Sequence, residues 1–212
     1  MKKPFVIAID GASSTGKSTL AKGLAKALGF PHVDSGAMYR GVTLYVQQHG
    51  LIENKKVKSE TLLSQLDDIH LRFEGDTFWL NGVDVSAEIR SMQVSEAVSL
   101  VAAIPEVRTF LVAQQRIMGA NQSVVMDGRD IGTVVFPKAD IKLFLTADVN
   151  IRAQRRFDEL SAQNTLTSVA EVRNNLAERD HLDSTRAESP LVQAADAIVL
   201  DATQYTVESM RD

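Results

Sequence analysis

Residues 11–18 read Gly-Ala-Ser-Ser-Thr-Gly-Lys-Ser, the spacing G-x-x-x-x-G-K-[ST] of a phosphate-binding loop. That spacing has physical meaning only between a strand and a helix, and both are at hand. Residues 5–9 form an apolar run suited to a buried strand, and residues 19–28 carry helical spacing. Gly11 and Gly16 reach backbone conformations closed to other residues, so successive N–H groups turn inward and line an anion nest. The positive end of the following helix is aimed at the same point. Lys17 adds a mobile charge for β- and γ-phosphates, and the Ser18 hydroxyl is the expected ligand of Mg2+.

Beyond the loop the chain alternates helix and strand. The first helix is expected to end at Gly29, with Leu20, Leu24, Ala27 and Leu28 facing inward. Apolar runs near residues 33, 124, 141 and 197 supply further strands, and helices are expected over 35–49, 91–103, 105–119, from 148 and over 169–180. Ser59 is a candidate cap for a short helix after a lysine-rich turn, residues 180–190 read as a polar loop, and a short closing helix is expected from Thr206. This alternation predicts an α/β fold with a parallel sheet covered on both faces. Residues 69–85 break the pattern. Strand-like segments separated by Glu74-Gly75-Asp76 and Asn81-Gly82 make a small antiparallel meander, read as an insertion.

Ligands of such sheets bind at the carboxyl ends of the strands, which assigns residues 11–18, 34–40, 127–130 and the turn before Arg152 to one rim. The rim is rich in arginine: Arg40, Arg129, Arg152, Arg156, Arg179 and Arg186. Phosphoryl transfer asks a protein for positioning, Mg2+ and positive charge, and guanidinium forks supply that charge with defined geometry. Spacing alone leaves Arg152 and Arg156 open between one shared ligand and a solvated basic face beside Asp158 and Glu159. For Arg40 the competing reading is a surface pair with Asp34. No Asn-Lys-x-Asp segment exists to read guanine, and 212 residues are few for a motor or transport ATPase, so a small-molecule kinase is favoured. A sensor that binds nucleotide without turnover would need one nest and no arginine-rich rim. The net charge of −4 argues against broad nucleic-acid binding, and no apolar run is long enough to span a bilayer. Without cysteine there are no disulfides or thiolate metal sites, and the four histidines, without zinc spacing, read as surface or satisfied groups. A cytoplasmic enzyme is expected.

Several longer tracts then carry a resemblance. Ile9-Asp10-Gly11, Asp34-Ser35-Gly36-Ala37-Met38-Tyr39-Arg40, Val101-Ala102-Ala103-Ile104-Pro105 with Val107-Arg108, Glu178-Arg179-Asp180, and Asp-Gly-Arg-Asp-Ile-Gly-Thr-Val-Val-Phe-Pro at 127–137 resemble the bacterial-type cytidylate kinases over nearly the whole chain. The resemblance implies a P-loop kinase fold, with a five-stranded parallel sheet in one domain over 1–212, an acceptor-binding insertion near 51–98 that contains the meander, and a short lid near 157–188. It implies Mg2+-dependent transfer from ATP to CMP or dCMP by a monomer, with UMP or a metabolite such as shikimate as alternative acceptors. ATP would be held by Gly11, Ala12, Ser13, Ser14, Thr15, Gly16, Lys17, Ser18 and Thr19, with Arg152 and Arg156. The acceptor would be held by Ser35, Arg40, Ser99, Arg108, Arg129, Asp130, Arg179, Asp183 and Arg186, with Lys17, Arg129 and Arg186 acting on the transferred group. Apart from the resemblance, Ser99 would read as a helix serine facing solvent or bonding a carbonyl. An aspartate at 130 suits cytosine, whose amino group donates where uracil presents a second acceptor. Ala12 and Ser14 depart from the proline and glycine that many members of that family carry.

Overall fold

The computed structural model describes residues 3–162, 165–206 and 209. Its backbone divides into two compact units, Met1–Val33 with Met118–Asp212, and Asp34–Ile117.

The first unit is built on strand β1 (Val6–Gly11), buried along its whole length, as an uninterrupted apolar run requires. With β2 (His32–Asp34), β8 (Val124–Gly128), β9 (Ile141–Thr146) and β10 (Ile198–Asp201) it forms a five-stranded sheet in the order β10-β9-β1-β8-β2. The partners of β1 run parallel to it, with Ile9 opposite Asp127 and Asp10 opposite Gly128. Helix α1 (Lys17–Leu28) covers one face, where Ile7, Ile9, Ala21, Ala25, Val125 and Leu145 form a cluster. Burial of a side chain such as Ile9 contributes roughly 1.5–3 kcal/mol. Leu20 and Leu24 pack against this cluster as expected, but Ala27 and Leu28 are exposed. Ala21 and Ala25 take their place, because small residues let the helix lie close to the sheet. Gly29 ends the helix in the left-handed conformation.

One expectation for this unit is corrected. Residues 180–185 are not loop: α6 (Val149–Ala162) is followed by α7 (Val169–Thr185), whose buried stripe is Val172, Leu176, Arg179 and Asp183. The inward face simply changes from apolar to charged, which hydrophobic periodicity does not register. At the sheet edge Ile198, Val199 and Leu200 of β10 are exposed. A one-turn π-helix over Ile131–Val135 was not anticipated. The closing helix expected from Thr206 lies outside the described residues, apart from Thr206 and Ser209.

The second unit contains α2 (Ser35–Gln48), a hairpin β3 (Ile52–Glu53) and β4 (Lys56–Val57), α3 (Ser59–Ser64), and the meander β5 (Leu71–Glu74), β6 (Thr77–Leu80) and β7 (Val83–Asp84). Helix α4 (Met92–Ala102) and most of α5 (Pro105–Asn121) complete it. The meander pairs in the order β5-β6-β7, antiparallel, as its two turn signals require. It packs on α2 at Gly41, where an added Cβ would lie 2.7 Å from the Phe78 ring. The hairpin went unread in the sequence because its strands are two residues each. Ser59 is the first residue of α3 rather than its cap: Lys58 holds the cap position and the Ser59 hydroxyl turns back to Val57 O.

Candidate active site

The phosphate loop takes its shape from what cannot fit beside it. A side chain at Gly11 would bring its Cβ to 2.4 Å from Leu145 O on β9, so β1 can turn into the loop only as glycine. Ser14 has a φ of 59° and Gly16 one of 96°, and these left-handed residues curl the backbone inward. Thr15 Oγ1 and Lys17 Nζ both donate to Ala12 O, at 3.1 and 3.0 Å. No acidic residue sits in the first turn of α1, so the positive end of the helix meets an anion undiminished.

Strand alternation brings the next group in. Asp127 on β8 lies beside Ile9 and so faces α1, where the Ser18 hydroxyl donates to its Oδ2 at 2.6 Å. His32 Nε2 donates to the other oxygen, also at 2.6 Å. Burial pushes the Asp127 carboxyl up, but the His32 bond and charge, Lys17 and Ser18 outweigh it, and the group is held below the ordinary carboxylate value. The strand-ending aspartate was legible in the sequence, but its meeting with Ser18 was not. Among the described residues no group of three or more histidine, aspartate or glutamate side chains gathers to hold a metal. A hydroxyl next to an ionised carboxylate at a phosphate nest does match the sparse protein donor set that Mg2+ uses beside nucleotide phosphates.

Guanidinium groups surround the loop. Arg179 Nη1 donates to Ser13 Oγ at 3.1 Å, Arg152 Nη1 to Ser13 O at 3.3 Å, and Arg155 Nη1 to Thr15 O at 3.3 Å. Arg155 had no role in the sequence reading. Asp183 gathers a second set: Arg129 Nε donates to it at 2.9 Å and Arg186 Nη1 lies 3.7 Å away. Burial would push Asp183 up, but Arg129, Arg179 and Arg186 hold it below the ordinary value. Arg179 is lowered to about 10, first by burial and then by the charge of Arg129. Crowded, desolvated guanidiniums of this kind favour an incoming anion. Arg152 pairs with Asp180 at 2.8 Å and Arg156 with Glu159 at 3.0 Å.

In the second unit Asp34 caps α2 by accepting the Ala37 N–H, and Ser35, the first helical residue, is buried. Arg40 Nη1 donates to Ile89 O at 3.0 Å and to Ser95 Oγ at 2.9 Å. Ser99 follows Ser95 by one turn of α4 and is 5% exposed, so it does not face solvent. Arg108 is also buried, donates to Ala102 O, and lies 5.2 Å from the centre of the Tyr39 ring. Among the described residues no helix is long and apolar enough to cross a membrane.

The chain matches the family model described as cytidylate kinase over residues 7–212. A cytidylate kinase of Parabacteroides distasonis is 53% identical over 99% of this chain and 94% of its own length. One from Bacteroides fragilis is 47% identical over the same shares. Among solved structures, an uncharacterized protein from Eubacterium ventriosum gives a TM-score of 0.53 at 14% identity, covering 99% of this chain and 94% of that one, a likeness of fold alone.

Proposed function

The chain belongs to the cytidylate kinase family, and on that premise we propose that it transfers the γ-phosphoryl group of ATP to CMP or dCMP, giving ADP and CDP or dCDP. One observation carries the donor half of this reading. A phosphate nest, Lys17 and the Ser18–Asp127 pair lie at the end of one strand pair, beside guanidiniums that touch the loop itself.

The chemistry follows from charge. The acceptor phosphate already carries an anionic oxygen near neutral pH, so no protein base is required. What must be overcome is repulsion between two anions. Lys17 answers it at the transferring phosphoryl group, with Arg129 and Arg186 as the proposed further cations. Residues 11–19 hold the donor phosphates, with Arg152 and Arg156 as proposed donor contacts. In the second unit Ser35, Arg40, Ser99 and Arg108 are the proposed acceptor contacts, and in the first unit Arg129, Asp130, Arg179, Asp183 and Arg186. Mg2+ would be held by Ser18 with Asp127 and would supply further neutralisation of phosphate charge. Residues 51–98 are the proposed acceptor-binding segment and 157–188 the lid, whose closure would exclude the water that competes as acceptor. A cytoplasmic monomer is part of the proposal. A coupled assay of ADP release with CMP, dCMP, UMP and shikimate tests it. Rapid turnover is expected with CMP and dCMP, and equal rates with UMP would overturn the assignment of the base.

A further inference from the structure

Asp10 immediately precedes the phosphate loop and is 3% exposed, yet nothing in the transfer chemistry calls for a carboxylate there. Next to Ile9 on β1, it points away from α1. Its two oxygens accept the N–H groups of Ile131 and Gly132, each at 2.7 Å. Those are the first two residues of the π-helical turn, whose own cap residue, Asp130, makes no side-chain cap bond. A helical turn ordinarily draws its cap from the residue just ahead of it. Here the cap comes from the central strand, 121 residues back in the chain.

Packing holds this arrangement in place. An added Cβ at Gly132 would lie 3.3 Å from Asp10 Oδ2 and 3.1 Å from Cδ of Lys142. Lys142 is itself fixed, donating to Pro137 O and Asp196 Oδ1 at 2.8 Å each. β1 is anchored by ladders to both β8 and β9, the second reaching Gly11, so the root of the phosphate loop does not depend on the side chain of Asp10. The N–H groups of Ile131 and Gly132, by contrast, are bonded by that side chain. Burial pushes the Asp10 carboxyl up to about 6 against the pull of the two N–H bonds, so the fold retains this group at a cost.

We propose that Asp10 is a positioning residue: by capping residues 131 and 132 from the strand that carries the phosphate loop, it holds Arg129 and Asp130 in place and sets affinity for the acceptor nucleotide rather than for ATP. The proposal rests on the acceptor roles given above to Arg129 and Asp130. Asp10→Asn keeps the size and one acceptor but sets an N–H against one of the two backbone donors. KM for CMP is expected to rise roughly tenfold, with KM for ATP changed by less than about threefold. Amide exchange at Ile131 and Gly132 is expected to quicken by roughly tenfold or more. Gly132→Ala, which presses on the same oxygen, should give the same signature in weaker form. Unchanged exchange at the two amides, or KM values for CMP and ATP that rise together with a falling Tm, would overturn the proposal. Wild-type turnover of CMP is the separate control on the acceptor reading, and the exchange experiment judges the cap whatever that control shows.

Discussion

At the scale of single residues, Lys17 and Ser14 mark two ways in which the loop can fail. Lys17 Nζ donates to Ala12 O, within the phosphate loop. Lys17→Ala is expected to lower kcat by roughly 10²- to 10³-fold through lost charge on the transferring group, with an unaltered circular-dichroism spectrum. Near-normal turnover would count against the mechanism. Ser14 occupies the left-handed region, which costs an L-residue about 1–2 kcal/mol. Ser14→Gly should therefore leave KM for ATP equal or lower, and the β-branched Ser14→Val should raise it, as initial-rate kinetics over an ATP series will show. Equal KM values in the glycine and valine forms would mean that the loop does not need this conformation. The spacing of glycine, lysine and serine was legible because it is local. The Ser18–Asp127 bond was not, because its partners are 109 residues apart and only the pairing of β1 with β8 brings them together. His32 read as a surface or satisfied histidine, and it is satisfied by that same Asp127.

At the scale of elements, α7 shows what periodicity can and cannot reveal. Its start was legible near Val169, and Ser168 with Glu171 makes a reciprocal capping box there. Its end was misplaced because the inward residues of the last turns are Arg179 and Asp183, charged groups that hydrophobic periodicity does not register. That charged face is what brings Arg179 to Ser13 of the phosphate loop. Ser168→Ala should unfasten the first turn and lower Tm by roughly 2–4 °C without changing KM for ATP, since the cap lies in the exposed first turn while Arg179 sits more than two turns further on. A calorimetric scan and one kinetic series decide this, and loss of ATP affinity in the capping variant would show that the two ends of α7 are coupled. The β3–β4 hairpin and the π-turn were illegible for different reasons. The first is too short for alternation to register, and the second is held by a side chain from a distant strand.

At the scale of the whole molecule, the strands themselves were legible but not their order, since β10-β9-β1-β8-β2 depends on pairings that no local window contains. The buried carboxylates pose a similar problem, because their effects on stability have opposite signs. Asp127 and Asp183 are held below the ordinary value of 3.8, so the stability they contribute is present above that pH and lost as pH falls through their folded values. Asp10, raised from 3.8 to about 6, binds its proton more tightly in the folded chain. Its contribution is complete below pH 3.8 and is lost as pH rises through about 6. Between these values wild-type stability should decline with pH relative to Asp10→Asn, in which nothing titrates at that position, by up to about 3 kcal/mol. Urea unfolding of both proteins from about pH 4.5 to about pH 7 measures the difference directly. Parallel curves would mean that the two N–H bonds fully offset the burial of the carboxylate. A wild type that falls relative to the variant over this range would mean that the fold gives up stability at neutral pH to keep an ionised cap at residues 131 and 132, which is the cost expected of a group retained for position rather than for packing.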